Sequence, residues 1–244
     1  MELVYDIDLW CILIIALCVL SQSLFGVGVL LWGTPALMLY GLSYVNVLNL
    51  LLPISLCISV SQVFVTRGIL SFGNARKFLV LCFPYLVLGL LLVLVISIDP
   101  TLFVILALIL AGVLRLTNPS VIKNKITRKK DILLPLVGLT HGLSNLGGSM
   151  LVVWASFTGA NRFEIRALVA LLYTFLALSQ ILVILLTLNE FILSVMYIPP
   201  LLLLHVVSSK YVLRNINEEK YQNLLTVLIF AISILLSFRF IGIL

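Results

Sequence analysis

Residues 135–158 read PLVGLTHGLSNLGGSMLVVWASFT, a run apolar enough for a bilayer yet interrupted at its middle by Gly142, Ser144, Asn145, Gly147 and Gly148. Glycine and small polar residues disfavour a continuous helix, so the run predicts two short helices meeting at a bend. The first arm, 132–143, rises only about 18 Å at ~1.5 Å per residue, against a hydrocarbon core of about 30 Å. It therefore stops near the midplane and turns back. Irregular backbone at that depth persists only where protein or a water-filled cavity satisfies it, so the break predicts a cavity and, with it, the functional site.

A second interrupted run lies near the start of the chain. Residues 21–40, SQSLFGVGVLLWGTPALMLY, are broken by Gly26, Gly28 and Gly33, and Thr34 and Pro35 read as the beginning of the second arm. Proline suits a first helical position, where its missing N–H has no partner to lose. The stretches downstream of the two runs also match. At a fixed offset of 118 residues, Gly41 falls on Gly159, Leu50 on Leu168, Ser61 on Ser179, Gln62 on Gln180 and Val65 on Val183. A Ser-Gln pair inside a membrane span is not explained by leucine-rich composition. The chain therefore reads as two related halves, 1–117 and 132–244, joined by a basic linker at 118–131.

The composition agrees. With 63% hydrophobic and 10% charged residues among 244, and a mean hydropathy of +1.28, the chain lies far outside the soluble range. An all-α polytopic membrane protein with no soluble domain is expected. Strand alternation is absent, which excludes an outer-membrane barrel. Glu2, Asp6 and Asp8 precede the first apolar run and no basic residue does, so that run lacks the basic head of a signal peptide. The net charge of +6 does not call for nucleic acid, because basic residues of membrane proteins gather in cytoplasmic loops. Cys11, Cys18, Cys57 and Cys82 lie in apolar runs without a CxxC or His/Cys cluster and read as buried small hydrophobes. No metal and no cofactor is expected.

Charge sets the orientation. Apolar spans at 45–66, 78–98 and 101–116 come after the first interrupted run, and spans at 165–188, 191–207 and 224–244 come after the second. If each interrupted run is a re-entrant hairpin, each half adds three full spans. Three is odd, so the halves are inverted relative to one another. With the N-terminus outside, Arg67, Arg76, Lys77, the central basic linker, Arg162, Arg166 and the loop carrying Lys210, Arg214 and Lys220 all fall on the cytoplasmic side. Of the 15 Lys and Arg residues only Arg239 lies near the outer side, where it is expected to snorkel. Eight simple spans would put the Arg76 and Arg166 groups on opposite sides. A multi-pass protein of the cell inner (plasma) membrane is the expected location.

Inverted halves with discontinuous helices are the plan of many secondary transporters, whose sites lie near the midplane where the breaks meet. A half-helix beginning there aims unpaired N–H groups and the positive end of its dipole at the site. Helices starting near Gly33 and Gly148 would hold an anion without any basic side chain.

The segments GVGVLLWGTPAL and GLTHGLSNLGGSML, heading two homologous halves around a basic loop in a chain of this length, resemble the sulfite exporter TauE/SafE family. The resemblance covers nearly the whole chain. It implies transport of small sulfur-containing anions, such as sulfite or a sulfonate like sulfoacetate, driven by an ion gradient. Members often carry a proline after the second glycine cluster as well as the first; here Met150 or Leu151 occupies the second position.

The residues offered to such a ligand come from the breaks and from the span after each. Thr34, Ser144, Asn145 and Ser149 stand beside Gly26, Gly28, Gly33, Gly147 and Gly148; each could instead cap a helix end. Ser55, Ser59 and Gln62 share one helix face, and their counterparts Tyr173, Ala177 and Gln180 share another. Interhelical hydrogen bonding, worth about 1 kcal/mol or less in membranes, is the plainer role for the two glutamines. His141, beside the second break, is the titratable group placed to take a coupling proton. His205 looks less central, and the carboxylates fall in loops or at span ends. A proton or a sodium ion would serve as the coupling ion, and the partners expected are the anion, the lipid bilayer and, in a homo-oligomer, further copies of the chain.

Three other classes compete. An intramembrane serine protease would need GxSG, and Asn145 stands where the last glycine belongs. A non-transporting assembly protein would not explain paired breaks. A passive anion channel differs from a transporter only in failing to move its anion against a gradient. No enzymatic activity is expected.

Overall fold

The computed structural model describes residues 8–25, 28–66, 73–116, 127–157, 162–188, 197–211 and 218–242. Helix α1 runs Leu9–Phe25, α2 Val29–Tyr40, α3 Tyr44–Val65, α4 Gly73–Leu94 and α5 Thr101–Leu116. A 3-10 turn at Thr127–Ile132 leads into α6 Leu133–Ser144, α7 Gly148–Ser156, α8 Arg162–Leu188, α9 Ile198–Tyr211 and α10 Glu218–Phe240. No strand occurs among the described residues. Three stretches, Tyr44–Val65, Ala75–Leu94 and Glu164–Leu188, are long and apolar enough to cross a membrane, and shorter apolar helices accompany them. Large apolar side chains such as Leu13, Leu17, Phe83, Leu106, Leu186 and Leu203 remain exposed on the outside of the bundle, as lipid-facing positions should be.

The second break falls at 145–147, as its glycines and Asn145 anticipate. α6 and α7 rise only about 18 Å and 14 Å at ~1.5 Å per residue, so neither arm spans a hydrocarbon core of ~30 Å. The chain doubles back between them. Trp154 Nε1 donates to Asp131 Oδ1 at 3.5 Å, and Lys130 Nζ donates to the Phe157 carbonyl at 3.2 Å. The end of α7 thus returns to the residues that precede α6. Asp131 also pairs with Lys77 Nζ at 3.1 Å, which ties the root of α4 to the same place.

The first interrupted run makes the same excursion. At its base the Tyr40 hydroxyl donates to the Asp8 carboxylate, which also accepts the Cys11 N–H at 2.9 Å. These bonds, the tyrosine's foremost, hold the Asp8 carboxyl below its usual range. The start of the second arm differs from the expectation, however. α2 begins at Val29, so Thr34 and Pro35 lie inside it and not at its first turn. The physical reason is a cap the sequence pattern hides: Gln22 Oε1 accepts the Val29 N–H at 3.0 Å and stabilises a helix start six residues before Pro35. Pro35 then simply forgoes one helical hydrogen bond.

The far end of α2 is also built by a distant residue. Gly41, at φ 117°, turns its N–H back onto the Leu37 and Met38 carbonyls. Arg239 of α10 donates Nη1 to the Met38 carbonyl at 2.9 Å and to the Leu39 carbonyl as well. Expected to snorkel, this arginine is spent on the carbonyl end of a helix some 200 residues away in sequence.

The packing has an exchange symmetry. α1 packs on α9 and α4 on α6; α1 on α2 and α6 on α7; α2 on α3 and α7 on α8; α9 on α3 and α4 on α8; α2 on α10 and α7 on α5. α3 meets α8, α5 meets α10, and α2 meets α7. Swapping α1–α5 for α6–α10 turns this set into itself, and α5 on α6 alone has no comparable counterpart.

The most extensive crossing, α4 on α6, is made by glycine. Gly138 and Gly142 stand one turn apart on α6 and let two backbones touch, the small-xxx-small device of membrane helices. A Cβ on Gly138 would lie 2.1 Å from the Cys82 carbonyl oxygen, and one on Gly142 2.3 Å from that of Leu86. Gly89 answers from α4, its Cβ position 2.8 Å from the Leu139 carbonyl oxygen. Because backbone cannot yield as a side chain can, Gly142→Val should cost about 2 kcal/mol or more. The measurement is the melting temperature of purified protein; a melt equal to wild type would contradict this packing.

Candidate functional site

The second break is held open by its own polar residues. Asn145 takes a left-handed conformation, φ 62° and ψ 12°, and its N–H donates to the His141 carbonyl at 2.8 Å. Ser144 donates its hydroxyl to the Thr140 carbonyl at 2.6 Å and accepts the Leu146 N–H at 3.3 Å. Ser149 bonds the Leu146 carbonyl at 3.4 Å. Ser144 and Ser149 are thus engaged in satisfying freed backbone. The start of α7, by contrast, carries no side-chain cap at Gly147.

Side chains from other helices converge on this break. Asn145 Nδ2 donates to Thr34 Oγ1 of α2 at 3.0 Å, which joins the two interrupted runs. Gln180 Nε2 of α8 donates to the His141 carbonyl at 3.4 Å. Tyr173 of α8 meets the His141 ring edge-on, centroids 6.2 Å apart. Its hydroxyl occupies the space a side chain at Gly148 would need, since a Cβ there would lie 1.3 Å from it. Gly147 is equally confined, its Cβ position 2.5 Å from the Val137 carbonyl oxygen. Ser55 and Ser59 are fully buried on α3, which packs on α8, and Gln62 lies one turn later, half-buried.

Many of these groups have no partner. Among the described residues, buried atoms without a hydrogen bond include Ser55 Oγ, Ser59 Oγ, Gln62 Oε1, both ring nitrogens of His141, Asn145 Oδ1 and Gln180 Oε1. Trp32 Nε1 of α2, Tyr44 Oη and Asn49 Oδ1 share that state. An unmet buried polar atom costs about 1–3 kcal/mol. Several of them, on His141, Asn145 and Gln180, gather at one helix break, which makes it the candidate site. His141, Ser144, Asn145, Thr34, Ser59 and Gln180 are all fully buried, so the place is closed to solvent.

The first break is arranged differently. Gly26 lies outside the described residues. Gly28 sits 2.6 Å, by its would-be Cβ, from the Gln22 backbone nitrogen, and Gln22 caps α2. Gly33 lies within α2 against the Leu51 side chain, a packing position. Ser23 donates to the Val19 carbonyl at 2.7 Å, and its oxygen lies 2.7 Å from His205 Nδ1. Arg166 Nη2 reaches the Ser23 carbonyl at 3.5 Å. The structure therefore brings His205 to a break after all. No spacing in the sequence signals this contact across 182 residues.

Two cavities flank these elements. One of about 290 Å³ between α1, α3 and α9 is almost wholly apolar, lined by residues such as Ile15, Ile54 and Leu204. One of about 140 Å³ lies between α5 and α6, against Thr140 and Ser144 beside the second break. Among the described residues no group of three His, Cys, Asp or Glu could hold a metal ion. The four cysteines are free; Cys11, Cys18 and Cys82 are buried and Cys57 partly so.

The family model described as Sulfite exporter TauE/SafE matches residues 11–236. No curated protein and no solved structure matches the chain. Members of that family are membrane transporters, and the apolar helices of this fold make it an integral membrane protein. The match takes in both interrupted runs and every helix that positions the polar cluster, and on it the chain belongs to the sulfite exporter TauE/SafE family.

Proposed function

We propose that this protein is a secondary transporter that exports small sulfur-containing anions, sulfite or a sulfonate such as sulfoacetate, by alternating access. The observation that carries the reading is the closed polar cluster at the meeting of two interrupted helices, joined by Asn145 and Thr34. Its two halves, 1–117 and 132–244, are taken as inverted repeats, each a re-entrant hairpin plus three spans, and the exchange-symmetric packing supports that. The N-terminus is outside and the 118–131 linker cytoplasmic, a reading the distribution of basic residues supports.

The anion sits at the start of α7, where uncapped N–H groups and the helix dipole favour negative charge. Gly147 and Gly148 let the Tyr173 hydroxyl and the His141 side chain close on that start, and Tyr173, Gln180, Asn145, Ser59 and Gln62 supply polar contacts around it. The Gln22 cap leaves the start of α2 less open, so Gly28 and Thr34 shape the pocket from the opposite hairpin. His141, buried with both ring nitrogens unpartnered, is the group that loads a proton there. The inverted halves then rock to expose the site to one side and the other.

Two variants test the contacts. Asn145→Gly keeps the left-handed backbone and removes only the amide, and Gln180→Ala removes the second amide. Each should lower the rate of sulfite transport into proteoliposomes about tenfold, equivalent to about 1.4 kcal/mol, through loss of the bonds that shape the site. Undiminished transport in both would take these residues out of the site.

The proton role has its own measurement. His141→Ala should abolish accumulation driven by a pH gradient while anion exchange between the two sides continues. Full pH-driven accumulation in that variant would end the assignment.

A further inference from the structure

Resting on the reading of the polar cluster as the transport site, we infer that it also binds a small, hard monovalent cation, sodium. Gln180 Oε1 and Asn145 Oδ1 are its first ligands, and Ser59 of α3 supplies a third oxygen. The inference comes from the kind of atom left unpaired. Four of the buried atoms without partners are amide oxygens, of Asn49, Gln62, Asn145 and Gln180, and three more are hydroxyl oxygens, of Tyr44, Ser55 and Ser59. Amide oxygens only accept. An anion brings further acceptors and can satisfy none of the four amide oxygens, whereas a cation satisfies several at once; the hydroxyls, like the unpaired Trp32 Nε1, can turn a donor to an anion as well.

The orientation of Gln180 is fixed by chemistry and not by choice of placement. Its amide faces the His141 carbonyl at 3.4 Å, and a carbonyl can only accept, so the NH₂ group must point there. Oε1 is thereby the end of the amide left over, buried beside the His141 side chain and without a hydrogen bond of full geometry. Asn145 bonds that same carbonyl through its backbone N–H at 2.8 Å, so the two residues flank one oxygen atom. With Nδ2 engaged by Thr34 at 3.0 Å, Asn145 too presents its oxygen.

Neutral oxygens around an unwound helix are the ligands sodium takes in transporters with broken helices. A divalent ion would call for carboxylates, and among the described residues the cluster offers none. Nor can a proton take this role, because amides and serine hydroxyls do not titrate near neutrality. The cation also offsets the charge of an anion held in a site without basic side chains.

The test is the melting temperature of purified wild-type protein in sodium, potassium and choline chloride at equal ionic strength. Sodium at about ten times its Kd should raise the melt by roughly 3–6 °C, with no rise in the other two salts. Gln180→Leu, which keeps the bulk and loses the oxygen, should melt alike in all three. Equal melts of wild type in the three salts, or a sodium response undiminished in Gln180→Leu, would overturn the cation. Choline sulfite separates the two ideas. A rise with choline sulfite but none with sodium sinks the cation and keeps the anion site, and a response to neither sinks both. A rise with sodium alone upholds the cation and sinks the anion reading.

Discussion

Backbone groups freed by a helix break cannot turn to water inside an apolar bundle, and much of this structure is the answer to that constraint. At the second break Ser144 turns its hydroxyl onto Thr140, Ser149 onto Leu146, and Asn145 closes a left-handed turn onto His141. At the first, Gln22 reaches seven residues forward to cap Val29. Each such bond contributes only ~1 kcal/mol net, but an unmet partner costs ~1–3 kcal/mol, so the breaks are tolerated only with these side chains present. Asn145 Oδ1 at the break, and Gln180 Oε1 and Ser59 Oγ on the continuous helices α8 and α3, are left without such a partner.

The two hairpins are not equivalent. The start of α2 is occupied by a glutamine side chain, while the start of α7 is bare and roofed by the Tyr173 hydroxyl over Gly148. Histidine appears at both breaks with different company. His141 stands beside Gln180 and Tyr173 with its ring nitrogens unbonded, and His205 is hydrogen-bonded to Ser23 with Arg166 close by. The two breaks thus have different polar surroundings.

Composition and glycine placement made the all-helical membrane class and the second break readable from the chain, because both act locally: a run of apolar residues and a cluster of small ones mean the same in any context. The shared helix faces read on α3 and α8 agree with the burial of Ser59 and Gln180, whereas Gln62 is only half-buried. Long-range capping was not readable. The start of α2 depends on Gln22, its end on Arg239, and the surroundings of Ser23 on His205, and none of these pairings leaves a periodic trace. Pro35 misled for the same reason, since proline marks a helix start only when nothing upstream stabilises an earlier one.

The glycine seam between α4 and α6 has a mechanical consequence. Carbonyl oxygens of α4 occupy the places where α6 would carry side chains, so no layer of rotamers lies between them to absorb sliding. The equivalent junction on the other side, α1 with α9, borders an apolar void of about 290 Å³. One hairpin is therefore mounted on a stiff strut and the other beside compressible space. The second hairpin thus has less room to shift against its neighbour than the first.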